Sequence, residues 1–119
     1  MKVRCIKLLD ESTGDTLETS SWLSLESVYH VLSVNMEDGA AVKFQLMSDN
    51  GTPAFHNANQ FEIVSNIIPA RWVINFVAGS HVELSPKLWS EPGFWESYFD
   101  GEPEAVSLFD TEKEIIFQE

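Results

Sequence analysis

The chain has a single cysteine, Cys5, among 119 residues, so no disulfide can form within it and non-covalent packing must hold the fold. Basic side chains are scarce as well: 7 Lys and Arg stand against 19 Asp and Glu, a formal net charge of −12. That balance argues against nucleic acid and anionic membranes as partners, because both are polyanions that repel such a surface. Lys2, Arg4 and Lys7 are the nearest thing to a basic cluster. No apolar run approaches the ~20 residues needed to cross a bilayer. Met1 to Lys7 alternates charged with apolar side chains, unlike the unbroken apolar stretch of a secretion signal. The expected setting is therefore reducing and cytoplasmic.

Catalytic and metal-binding patterns are equally sparse. The 6 glycines stand singly at turns, which leaves no phosphate-cradling loop. Asp49-Asn50-Gly51 lacks the later acidic residue of a calcium loop. His30, His56 and His81 are dispersed, and no second cysteine completes a zinc set. His81 and Glu83 alternate along a strand and so share a face, the one arrangement that could relay a proton or hold a metal. The tryptophans Trp22, Trp72, Trp89 and Trp95 are spread along the chain rather than gathered as a sugar platform, and Trp72 is expected in the core. No cofactor and no enzymatic activity are expected.

What is present is a normal globular composition, 44% hydrophobic and 22% charged, in a length that fits one domain over residues 1–119. Residues 1–65 read as strands: Lys2–Leu9, Val28–Asn35, Ala41–Ser48, Thr52–Phe55 and Phe61–Val64. Glu37-Asp38-Gly39 and Asp49-Asn50-Gly51 close hairpins, and residues 56–60 form a short helical turn. From residue 66 the pattern changes, with strands Arg71–Ala78 and His81–Leu84 joined by an Ala78-Gly79-Ser80 turn. Ser85-Pro86 then reads as a helix start, Pro92–Asp100 as a second short helix ended by Gly101, and Glu102-Pro103-Glu104 as the opening of a last helix reaching Phe117. The fold class is α+β: a small antiparallel, barrel-like sheet with a carboxyl-terminal extension of two to three short helices.

The carboxyl-terminal block carries the functional signal. Glu91 to Glu119 holds nine carboxylates and one lysine, Lys113, for a formal charge of −8. Large aromatics are interleaved with them: Phe94, Trp95, Tyr98, Phe99, Phe109 and Phe117. Acids spaced i,i+4, as in Glu96/Asp100 and Asp110/Glu114, each cost a helix about 0.2–0.5 kcal/mol. A sequence shaped by stability alone would mix signs, so the excess points outward, to steering of a basic partner. The candidate binding residues are Trp95 and Tyr98 as anchors, with Glu96, Asp100, Glu102, Glu104 and Asp110 supplying the field.

Two resemblances follow from these residues. Leu25, Tyr29 and Val31, the Glu37-Asp38-Gly39 and Asp49-Asn50-Gly51 hairpins and the closing Phe61-Glu62-Ile63-Val64 resemble small SH3-like barrels of bacterial and phage proteins. The chain departs from that pattern at Glu26-Ser27, where such barrels often carry a glycine and a basic residue. The size, the acidity and the segment Pro92-Gly-Phe-Trp-Glu-Ser-Tyr-Phe-Asp100 resemble, in overall type, the immunity proteins of bacterial toxin systems. That likeness implies an inhibitor that occludes the active cleft of a cognate, basic toxin such as a nuclease. The alternative is a general protein-interaction module, phage-related, that uses the barrel around Tyr29, Phe55 and Gln60.

Overall fold

The structure is a computed structural model that describes residues 1–77 and 79–119. Ala78, expected at the end of a strand and in the turn after it, lies outside the described residues.

Two antiparallel sheets are stacked, and two helices pack beside the larger one. The smaller sheet has the order β2 (Val28–His30), β1 (Lys2–Cys5), β6 (Phe61–Ser65). The larger has the order β5 (Pro53–Asn57), β4 (Lys43–Met47), β3 (Ser33–Glu37), β8 (His81–Pro86), β7 (Trp72–Val77). Alternation decides which side chains meet between them. Val3, Cys5 and Phe61 from one sheet and Val34, Phe44 and Leu46 from the other form the sandwich core, joined by Val31, Leu8 and Leu23.

The closed, barrel-like sheet expected from the first half is not formed. The stretch Val28–Asn35 breaks at Val31-Leu32, and the chain passes there from the smaller sheet to the larger. The reason lies in those two neighbours. Both are 0% exposed, yet Val31 belongs to the sandwich core and Leu32 to a second core beneath the helices. Consecutive strand side chains point to opposite faces, so burying both requires a core on each side. β8 then pairs with β3, in the register Val34↔Leu84, and occupies the edge that barrel closure would have used.

Ser85-Pro86 does not start a helix. Ser85 stays in the ladder opposite Val73, and a 3-10 turn, Lys87–Ser90, follows. The helices are α1 (Phe94–Phe99) and α2 (Pro103–Phe117), the latter with proline in its first turn as expected. No helix among the described residues is long and apolar enough to cross a membrane.

Glu26 is the one described non-glycine residue with positive φ, 69°, the backbone conformation that glycine adopts without strain. Its N–H donates to the Cys5 carbonyl at 2.8 Å, which ties the strained residue to β1. Glu26→Gly should raise stability by about 0.5–1 kcal/mol, the relief of strain outweighing the added freedom of the unfolded chain; chemical denaturation measures it.

His56 is buried on β5, with Nε2 3.0 Å from the Ser48 hydroxyl. Burial lowers its pKa, against a smaller opposing pull from Glu11. Above about pH 7.5 the imidazole is neutral in both folded and unfolded chains, so it adds no pH dependence. Below that the unfolded chain binds the proton first, and stability falls until the folded pKa is passed, by at most about 1.4 kcal/mol per pH unit. The stability gap between wild type and His56→Gln should therefore narrow between about pH 7.5 and 5.5; a constant gap in denaturation curves contradicts it.

Candidate protein-binding face

α1 is six residues long and is bracketed by two glycines, Gly93 at φ 79° and Gly101 at φ 76°. Both turns need the left-handed region, and together they swing α1 across the start of α2. The Glu102 N–H donates to the Ser97 carbonyl at 3.1 Å, fixing the corner between the helices.

The aromatic side chains fasten that corner. Phe109 is fully buried, with its ring 4.7 Å from Tyr98, 5.0 Å from Trp89 and 5.8 Å from Trp95. Phe94 is buried, and Trp95 and Tyr98 are half-buried among these rings. Trp95 and Tyr98 thus serve the fold with one side and reach solvent with the other. Phe99 was not singled out as an anchor by sequence reasoning, yet it is the most exposed aromatic of α1, at 60%. Its place on the helix wheel, between Trp95 and the Glu96/Asp100 edge, carried that signal at 100° per residue.

The five acids proposed from sequence, Glu96, Asp100, Glu102, Glu104 and Asp110, are all exposed, but they do not form one cluster. Glu102 and Glu104 line a depression with Glu91, Leu88 and Leu108. Glu96 and Trp95 line a second depression with Glu83, Trp89 and, again, Glu91. Asp100 and Asp110 line neither. Asp110 lies close enough to Tyr98 that its charge adds to burial, the larger cause, in raising the phenol's pKa. Glu83, which sequence reasoning had paired with His81, therefore joins the acidic set. His81 Nε2 and a Glu83 carboxylate oxygen are 4.0 Å apart, and no group of three or more potential ligands for a metal occurs among the described residues.

Three of the nine carboxylates are spoken for inside the molecule, among them Glu119, which accepts from the Ala70 N–H at 3.1 and 3.3 Å. Glu112, 3% exposed in its side chain, receives Arg71 Nε at 2.9 Å and Nη2 as a second, parallel bond. Lys113 Nζ lies 3.5 Å from Asp110 and also over the rings of Phe109 and Phe117, at 5.7 and 5.9 Å. Glu91, Glu96, Asp100, Glu102, Glu104 and Glu114 have no ion pair among the described residues. Trp89, which lines the second depression, is 2% exposed, and its ring N–H is buried without a hydrogen-bond partner. Carboxylates beside tryptophan rings suit a basic side chain of a docked polypeptide.

Comparison with protein-family models, curated proteins and solved structures returns no match.

Arg71→Ala leaves Glu112 buried without its counter-ion and should lower the melting temperature by several degrees. Adding Glu112→Leu to that variant should recover most of the loss. A double variant no more stable than Arg71→Ala would show that the pair acts otherwise.

Proposed function

We propose that this chain is a binding protein for a basic protein partner, of the immunity type: it covers a cationic cleft, such as that of a nuclease toxin, with its acidic helical face. The observation that carries this reading is the depression that Glu83, Glu91 and Glu96 line together with Trp89 and Trp95. Three carboxylates set the sign of the ligand, and the aromatic walls supply desolvated contact area. Glu102 and Glu104 extend the negative field through the neighbouring depression, which shares Glu91. Phe99 adds an exposed apolar anchor next to that field.

A second reading is favoured by a separate observation. Leu9, Leu17, Trp22, Leu23, Phe55 and His56 line an apolar pocket at the sandwich, and Trp22 is 43% exposed. An interaction module using the sheets, in the phage-related sense, would take its partner there. Gln60 is committed internally, donating to Glu11 at 2.9 Å and accepting from the Leu9 N–H at 3.0 Å. Tyr29 donates to Asp49 at 2.8 Å.

Co-purification with a basic toxin domain encoded beside it is the direct test. With that complex in hand, the association rate should fall about tenfold or more between ~50 and ~500 mM salt. Glu96→Lys and Glu104→Lys should each slow association several-fold at low salt, with unchanged melting temperature because both side chains are exposed. Phe99→Ala should instead speed dissociation. Rates indifferent to salt and to both charge reversals, with protection at Trp22 and Phe55 in place of residues 91–104, would transfer the interface to the sandwich pocket.

A further inference from the structure

The two sheets present four edge strands, and three of them carry a device that discourages pairing with another chain. β2 is only three residues long. β5 opens with Pro53, which has no N–H to donate. β6 carries the charged Glu62, bonded to Arg4 at 2.6 Å, and its register against β1 is interrupted. β7 has none of these. It runs six residues, Trp72–Val77, without charge or proline and in unbroken register with β8.

Its side chains are exposed on both faces. Val73 is 41% exposed on one face, and Ile74 and Phe76 are 58% and 68% exposed on the other. Ile74 stands opposite Leu84 and Phe76 opposite Val82, so both continue the inner, core-bearing face of the larger sheet. The smaller sheet covers that face over β3 and β4 and leaves Ile74 and Phe76 exposed, with a depression lined by Met36, Val42, Phe76 and Val82 together with Glu37 and Asp38.

Charge identifies the occupant. The seventeen residues from Ile63 to Gly79 hold one formal charge, Arg71, and that guanidinium is engaged by Glu112. The strand itself offers a basic partner no carboxylate; the nearest, Glu37 and Asp38 beside Phe76 and Glu83 opposite Asn75, belong to neighbouring segments. Two copies of a chain bearing −12 repel each other over their acidic surfaces, but meet along this uncharged, apolar strand at a lower electrostatic cost than across the carboxyl-terminal block, and β7 itself is the kind of extended, uncharged segment that such an edge accepts.

We infer that β7 is a self-association edge: two copies pair β7 antiparallel about a two-fold axis, joining their five-stranded sheets into one of ten strands. A two-fold axis at Ile74 or at Asn75 keeps apolar faces in common, placing Ile74 opposite Ile74 or Phe76 of the second copy. The added ladder satisfies the free backbone groups of both strands, and the Ile74 and Phe76 side chains cover one another.

Sedimentation of the full chain tests this. A species of twice the 13.4 kDa chain mass should form in the micromolar range. Its share should rise with salt, as screening relieves the repulsion between copies. Ile74→Lys and Phe76→Lys should each shift the dissociation constant at least about tenfold toward monomer. Both positions are exposed, so far-UV circular dichroism and melting should match the monomeric wild type. Backbone amides of Val73 to Phe76 should exchange more slowly as concentration rises. Glu96→Lys and Glu104→Lys should leave the dimer in place, which separates this surface from the acidic face. A chain monomeric at millimolar concentration in high salt overturns the inference, as does a dimer indifferent to both lysine variants. Protection of β7 only by a foreign protein also overturns it, and assigns the edge to strand addition by that partner.

Discussion

The structure depends on Trp72, which belongs to both hydrophobic cores at once. It packs against the sandwich core and against the helical core, and its ring N–H donates to the Leu32 carbonyl at 2.9 Å. Leu32 sits where the chain leaves one sheet for the other, so that bond fastens the crossing point to β7. The preceding residue, Arg71, holds Glu112 in the middle of α2. One dipeptide thus connects the sheet crossing, the edge strand and the long helix. A change that displaced Trp72 would loosen both cores, and with them the platform on which the acidic face is displayed.

Much of the secondary structure was legible because it rested on local chemistry. The hairpins at Glu37–Gly39 and Asp49–Gly51, the turn at Ala58–Gln60 and the proline start of α2 fall close to where composition placed them. The failures were tertiary. Val31 and Leu32 read as one apolar run, and nothing local says that one faces the sheets and the other the helices. Ser85-Pro86 carries a sound helix-start signal, but a ladder partner, Val73, holds Ser85 extended. The exposure of the five candidate acids agrees with their sequence, and their division between two depressions and open surface does not follow from it. Glu83 reaches the acidic set from β8, only eleven residues before α1 begins, and the fold of the chain through the Lys87–Ser90 turn brings it beside Glu91 and Trp95.

The acids divide by what the fold asks of them. Glu112 is internal: its bidentate bond to Arg71 is part of how α2 is seated. Asp110 and Glu119 also have partners, Lys113 and the Ala70 N–H, whereas the remaining six have no ion pair among the described residues. Glu96 and Asp100 share an edge of a helix of only six residues, where like charges oppose helix formation. The helix persists because Phe94, Trp95 and Tyr98 are fixed by Phe109 and because glycines set its two ends. Aromatic packing over-determines the backbone, which leaves the solvent positions free to be chosen for an external reason. A marginal helix could not carry that repulsion.

That division extends to the whole surface. A protein with charge −12 could have spread its acids evenly, which would have protected β7 as it protects β6. Instead the seventeen residues from Ile63 to Gly79 are nearly neutral, while the last 29 carry a formal −8. An even distribution maximises solubility, whereas a segregated one gives a molecule two kinds of contact with opposite responses to salt. Screening weakens attraction of a cationic partner to the acidic face and strengthens association of like-charged copies along the neutral strand. The two contacts also differ in what they ask of the partner. The acidic face requires opposite charge and tolerates variety in backbone, and the strand edge requires an extended, apolar backbone and tolerates no charge. On these two proposals, neither surface could substitute for the other, so a partner's charge and conformation together would determine which one it meets.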